Sequence, residues 1–213
     1  MANAQLVPSG RRVERPRRPS STSTFARELI ETIVLTAIVF LVVNVTARPY
    51  TVDGPSMQPG LYTGDRVVVN MLAYDFGSPQ RGDVIVFHPP SDPGSVYVKR
   101  VIGVPGDHIS ITPDAVIVNG HKLNEPYISI IDPNAPENAS VFPSIVLGPN
   151  QYFVMGDDRQ NSIDSRVFGY VPRANIIGKA EFVVWPLTEF HAIDTYPSVY
   201  HAVPDVRVPV ARQ

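Results

Sequence analysis

The sequence predicts a mainly β protein carried behind one N-terminal transmembrane helix. Three observations lead there. The 213 residues include 22 prolines and 14 glycines, a density that breaks helical bundles and suits short strands joined by turns. Short β-branched runs recur between those turn residues, as in Val67-Val68-Val69, Val84-Ile85-Val86-Phe87 and Ala115-Val116-Ile117-Val118. One run near the N-terminus, Thr32 to Ala47, carries no charge at all. The length suggests one main domain with a sizeable core.

Composition also excludes whole classes of function. A net charge of −2 argues against nucleic acid as a partner. The absence of cysteine excludes disulfides, thiolate zinc sites and cysteine nucleophiles. His88, His108, His121, His191 and His201 are scattered without metal-ligand spacing and read as surface residues. No cofactor or metal is expected.

Residues 1–24 are polar, with Arg11, Arg12, Arg15, Arg17 and Arg18 against a single Glu14, and are expected to be a disordered basic tail. Such a tail can bind nucleic acid, but before an apolar run it reads better as a cytoplasmic topology signal. Residues 25–47 are expected to be the anchor, with Thr24 as a helix cap. The uncharged run alone rises ~24 Å, short of a ~30 Å hydrocarbon core, so the span extends back to Phe25. Arg27, Glu28 and Glu31 then lie at the interface, where a long side chain can snorkel. A buried core helix fits poorly, because the run is apolar all round. A cleavable signal peptide is the other alternative, since Val45-Thr46-Ala47 resembles a cleavage site. Everything after Ala47 is expected outside the membrane.

Residues 48–186 are expected to form the extracytoplasmic domain. It begins with Val52-Asp53-Gly54-Pro55-Ser56-Met57-Gln58-Pro59-Gly60-Leu61, where two prolines and two glycines hold Ser56 on a bent backbone. A tight surface turn is the plain alternative for such a stretch. Ser56 is nine positions beyond Ala47, within about 30 Å of it even when fully extended. Strands follow at Arg66–Asn70 and Val84–Phe87. In the stretch Val96–Asp107, Lys99 interrupts an apolar strand, and alternation puts Tyr97, Lys99 and Val101 on one face. An edge-strand gatekeeper is the structural reading of that lysine. An insertion is expected around 107–150, with an Asn119-Gly120 hairpin turn and an exposed Pro/Asn/Ser-rich loop from Glu125.

The strand Tyr152–Met155 runs into the polar loop Gly156–Arg166. Its aspartates suggest calcium, but the interleaved arginines argue for internal ion pairs. A last strand is expected over Ile176–Pro186. Residues 187–213 are proline-spaced and are expected to be a loosely packed tail.

Four of these blocks stand in a telling order: Ser-Met-x-Pro, Arg-Gly-Asp-Val-Ile-Val-Phe, Lys-Arg-Val-Ile-Gly-Val-Pro-Gly-Asp, and Gly-Asp-x-Arg-x-x-Ser-x-Asp-Ser-Arg. The order resembles the bacterial type I signal peptidases, membrane-anchored serine endopeptidases of protein secretion, over roughly residues 25 to 186. The resemblance implies a catalytic domain of two antiparallel sheet regions and removal of signal peptides at the outer membrane face. It implies Ser56 as nucleophile, Lys99 as general base and Ser162 as the hydroxyl that orients the lysine amine. Asp157 with Arg100, and Asp164 with Arg166, would be supporting ion pairs. Val52, Met57 and Val98 would line pockets for small substrate side chains. The implied partners are preprotein signal peptides, membrane lipid and the secretion translocon.

Two positions depart from the family pattern. Asp158 stands where asparagine is frequent. Gly54 stands where some members carry a serine that donates to the oxyanion. The chemistry is coherent on its own terms. A lysine is a base only when neutral; its ordinary pKa is about 10.4, and burial in an apolar strand lowers it. Two rival functions remain from sequence: a self-cleaving Ser/Lys peptidase, and a non-catalytic membrane-anchored β domain that binds secreted proteins.

Overall fold

The computed structural model describes residues 21–128 and 142–206. Most of the expected basic tail, part of the insertion and the last residues of the chain lie outside the described residues. The chain divides into two compact units, Met1–Val42 and Val43–Gln213.

Helix α1 spans Ser21–Thr46, so it starts before Phe25, and Thr24 lies inside it rather than capping it. Propensity explains the early start: Ser and Thr are tolerated within a first turn, and nothing in Ser21–Thr24 forbids helical φ. Among the described residues no helix is long and apolar enough to cross a membrane. The uncharged stretch of α1, residues 32–46, rises about 22 Å, short of a ~30 Å hydrocarbon core.

The second unit is built on two antiparallel sheets. Its strands are β1 (Ala47–Thr51), β2 (Arg66–Asn70), β3 (Val84–Phe87), β4 (Tyr97–Gly103), β5 (His108–Thr112) and β6 (Ala115–Val118). They continue with β7 (His121–Lys122), β8 (Phe142–Val146), β9 (Gln151–Met155), β10 (Val171–Pro172), β11 (Ile176–Trp185) and β12 (His191–Ala192). The larger sheet runs β1-β2-β11-β3-β4-β9-β10, with β12 added on β11; the smaller runs β7-β6-β5-β8. The smaller sheet occupies the expected insertion. Its β6–β7 hairpin turns on Asn119 and Gly120, with φ of 52° and 80°, the positive pair a two-residue turn needs.

Strand β3 is buried along its whole length because both of its faces are covered. Val84 and Val86 pack with Val52, Met57 and Leu61. Ile85 and Phe87 pack with Tyr74, Val101 and Tyr152. A third core joins Ile102 and Met155 of the larger sheet to Ile109, Ile111 and Val116 of the smaller.

The expectation of a loose tail after residue 186 is corrected. Its residues 187–206 carry β12 and helix α3 (Pro197–Tyr200), and Val199, Tyr200 and Val203 are buried in the third core. The segment is tied down by side chains distant in sequence. Arg100 donates to the Asp194 carbonyl at 2.8 Å and Asn119 to the Pro204 carbonyl at 2.8 Å. Periodicity cannot reveal such packing, because each contact falls in a different short element.

Candidate active site

Ser56 is held as its prolines and glycines suggest. Gln58 N–H donates to the Pro55 carbonyl at 2.9 Å, and Leu61 N–H to the Met57 carbonyl at 2.9 Å. Val52, Met57 and Leu61 are buried and pin the bend to the core. Gly54 has φ of +90°, which an L side chain rarely adopts, although a Cβ there would meet open space. From the far side, the Asp158 N–H donates to the Ser56 carbonyl at 3.1 Å.

Lys99 reaches the same point from β4, where it pairs with Ile85 of β3. Its Nζ donates to Ser56 Oγ at 2.6 Å and to the Val98 carbonyl at 2.9 Å. Lys99 is only 4% exposed. Burial pushes its pKa down to about 8, with Asp164 and Asp157 pulling upward and Arg166 adding to the fall. The Tyr97 ring lies 5.5 Å from the amine, on the shared face that alternation predicts.

The polar loop is braced by buried ion pairs. Arg100 grips Asp157 through two bonds of 2.9 and 2.8 Å, and its guanidinium sits 4.4 Å from the Tyr127 ring centroid. Arg166 grips Asp164 at 2.8 and 2.7 Å. Burial works against the Asp164 carboxylate, yet Arg166 and the Gly156 N–H together hold its pKa below the ordinary range. Asp164 also caps helix α2 (Ser165–Phe168) through the Arg166 N–H. Asp158 is fully buried and accepts from the Asn161 backbone at 3.1 Å, so its charge is spent inside the loop.

Ser162 is half-buried beside this centre, with its Oγ enclosed and without a hydrogen-bond partner among the described residues. It packs against Gly156, where a Cβ would come within 2.3 Å of Ser162 Oγ and 2.4 Å of the Ser56 carbonyl oxygen. Only glycine fits there, which is why the loop can close over Ser56.

A groove of about 450 Å³ opens at the dyad. Tyr50–Asp53 form one wall and Ser95–Lys99 the other, with Val86 and Val67 at the base. Strand β1 is at the sheet edge, and β9 registers with β4 only from Arg100 onward. Both walls therefore present backbone polar groups to the space between them. Val52 and Val98 line this groove. Met57 does not: it is 1% exposed and lines a smaller cavity of about 170 Å³ with Arg100, Tyr127 and Tyr196. Expecting Met57 to face the groove overlooked that Ser56 and its successor point to opposite sides of the bend.

Sequence reasoning gave no role to Glu125, Tyr127 or Tyr200. Glu125 and Tyr127 sit in the loop assigned to an exposed insertion, yet Glu125 forms a buried ion pair with Arg159. The one available signal was Arg159, an arginine inside a quoted block with no partner assigned.

With this geometry in view, similarity becomes informative. The family model for "Signal peptidase, peptidase S26" matches residues 26–185. Signal peptidase IB of Staphylococcus aureus (strain Mu50 / ATCC 700699) is 38% identical over 185 residues, covering 77% of this chain and 93% of the relative. Signal peptidase I of Leptolyngbya laminosa is 37% identical over 179 residues, covering 80% and 85%. Among solved structures, a signal peptidase I from Enterococcus faecalis V583 matches with TM-score 0.43 and 32% identity, over 48% of this chain and 96% of that one.

Proposed function

The chain belongs to the signal peptidase family, peptidase S26, and is a serine peptidase of that family; from that premise we propose that Ser56 and Lys99 are its catalytic dyad and that it removes signal peptides from secreted preproteins. The observation that carries the assignment is the 2.6 Å contact between a buried lysine amine and the Ser56 hydroxyl.

Neutral Lys99 takes the proton from Ser56 Oγ as it attacks the scissile carbonyl. The amine then delivers that proton to the leaving nitrogen. Water, deprotonated by the same amine, hydrolyses the acyl-enzyme. The Ser56 N–H is the oxyanion donor on this chain's own backbone. Gly54 offers no hydroxyl, so the second donor comes from elsewhere. Ser162 Oγ orients the amine once substrate excludes water, and the Arg100–Asp157 and Arg166–Asp164 pairs hold the loop that carries it.

The substrate binds extended between the Tyr50–Asp53 and Ser95–Val98 walls, adding a strand to both. Val52, Val86 and Val98 leave room only for small side chains near the cleaved bond.

The enzyme is anchored by the region of α1, with its N-terminus cytoplasmic and the catalytic unit outside. Supporting this are the uncharged run Thr32–Ala47, the arginines before it, and the exposure of Ile33, Leu35, Ile38 and Leu41. Protease added to intact spheroplasts should digest the catalytic unit and spare the N-terminal tail; the reverse pattern would refute the orientation.

Cleavage of a purified preprotein in detergent, with Ser56→Ala as control, tests the function. Product at the signal-peptide junction with wild type alone supports it. Intact preprotein with both proteins would return the chain to a binding role, and cleavage of the chain itself alone would make it a self-processing peptidase.

A further inference from the structure

The Arg100–Asp157 and Arg166–Asp164 ion pairs join residues inside the recognised blocks. The buried Glu125–Arg159 pair does not. Glu125 comes from the segment after β7, and its carboxylate is taken by both terminal nitrogens of Arg159, one at 2.9 Å and the other closer still. Arg159 is 1% exposed and Glu125 8%. Tyr127 donates to Glu125 at 2.7 Å and meets the Tyr200 hydroxyl at 2.7 Å. Charged neighbours packed nearby are Asp157 and Arg100, which are committed to each other.

With both terminal nitrogens held by Glu125, the direction of the Nε–H is fixed by the planarity of the guanidinium. That donor, Arg159 Nε, points to the Gly156 carbonyl at 3.1 Å. Gly156 is the residue wedged against the Ser56 carbonyl oxygen. Two positions on, the Asp158 N–H holds that same oxygen at 3.1 Å. The main-chain carbonyl of Arg159 in turn accepts from Arg166 at 2.8 Å.

We propose that Glu125 is a positioning residue: by orienting Arg159 it fixes the Gly156 carbonyl, and thereby the loop that holds the Ser56 peptide against the substrate. It touches neither substrate nor dyad. Its action is a matter of where the Ser56 N–H and Oγ stand when the oxyanion forms, and a displacement of about 1 Å there is costly to the rate. The effect belongs to the transition state, so it falls on kcat and leaves KM.

The inference rests on the peptidase reading, and the experiment separates the two. The full chain in detergent micelles is assayed on a preprotein for kcat and KM, each corrected for the folded fraction from a thermal melt. Wild type that does not cleave refutes the peptidase reading itself. Given cleavage by wild type, Glu125→Gln should lower kcat tenfold or more with KM within twofold. Arg159→Lys keeps a cation for Glu125 but lacks the planar fork, and should do the same. If the single variants fail to fold, Glu125→Met combined with Arg159→Met removes both charges together and leaves none unpaired; it should show the same loss of kcat. A kcat within twofold of wild type per folded molecule, or a loss seen only in KM, would overturn the proposal.

Discussion

Lys99 Nζ stands 2.6 Å from Ser56 Oγ, delivered across the sheet by residues 43 positions apart. The amine is buried with pKa pushed down to about 8. At pH 7 roughly a tenth of it is neutral, against roughly one part in three thousand for an unperturbed lysine. Ser56→Ala and Lys99→Ala should therefore each abolish cleavage, and the double variant should lose little more, because the two act as a unit. Lys99→Arg should be equally inactive, since the guanidinium stays charged. Single-turnover rates on a preprotein check this; appreciable turnover by the arginine variant would sink the mechanism.

The same shift fixes the pH dependence. With subsaturating substrate, kcat/KM should rise about tenfold per pH unit below pH ~8 and level above it, as free-enzyme Lys99 loses its proton. The sign for stability follows from linkage. The folded pKa lies below the unfolded one, so between about 8 and 10.5 the unfolded chain binds more protons and stability rises with pH through that window. Below pH 8 the folded state carries the full penalty of a buried ammonium. Lys99→Met should accordingly be more stable than wild type at pH 7, by ~1–3 kcal/mol, with the difference shrinking toward pH 10. Urea melts at the two pH values measure it, and a difference that grows with pH would contradict the linkage.

Gly54 is the second position where backbone geometry decides. With φ at +90° and open space where a Cβ would go, the cost of a side chain is conformational and not steric. Gly54→Ala and Gly54→Ser should both lose about 1–2 kcal/mol and should be similarly slowed. A serine variant clearly faster than alanine at equal folded fraction would instead mark a vacant oxyanion-donor position.

Local signals explain why the sequence yielded what it did. The strand from Tyr97, the Asn119-Gly120 turn and the bend at Ser56 are written in β-branched runs, positive-φ residues and prolines, all within a few positions. The arginine-aspartate pairing of the Gly156–Arg166 loop was legible because opposite charges interleave over eleven residues. Glu125 was not, because its partner Arg159 is 34 positions away and the prolines and asparagines of residues 126–144 mask the short apolar run that starts at Tyr127. Tyr200 was missed for the same reason: one buried side chain on a four-residue helix leaves no period to detect. The expected anchor differs in kind: its signal in the sequence is the hydropathy of the whole run Thr32–Ala47, a property of composition and not of any contact.

The groove makes a last prediction that separates two residues the sequence grouped together. Val98 is half-buried and lines the space beside Ser56, while Met57 is turned into the core and the smaller cavity. Val98→Ala removes two methyl groups from the groove wall without opening the core. It should relax the demand for small residues, raising kcat/KM for a preprotein with valine or leucine next to the cleaved bond relative to one with alanine. A pocket change of this size is worth about 1–3 kcal/mol, or roughly 10–200-fold in the ratio. Met57→Ala should do the opposite: lose ~2–5 kcal/mol of stability as a core truncation while leaving the ratio unchanged. Competition between the two preproteins, followed by mass spectrometry of the products, reads the ratio directly. A ratio altered by the Met57 variant and untouched by the Val98 variant would mean that the substrate side chain enters the smaller cavity behind Ser56 instead.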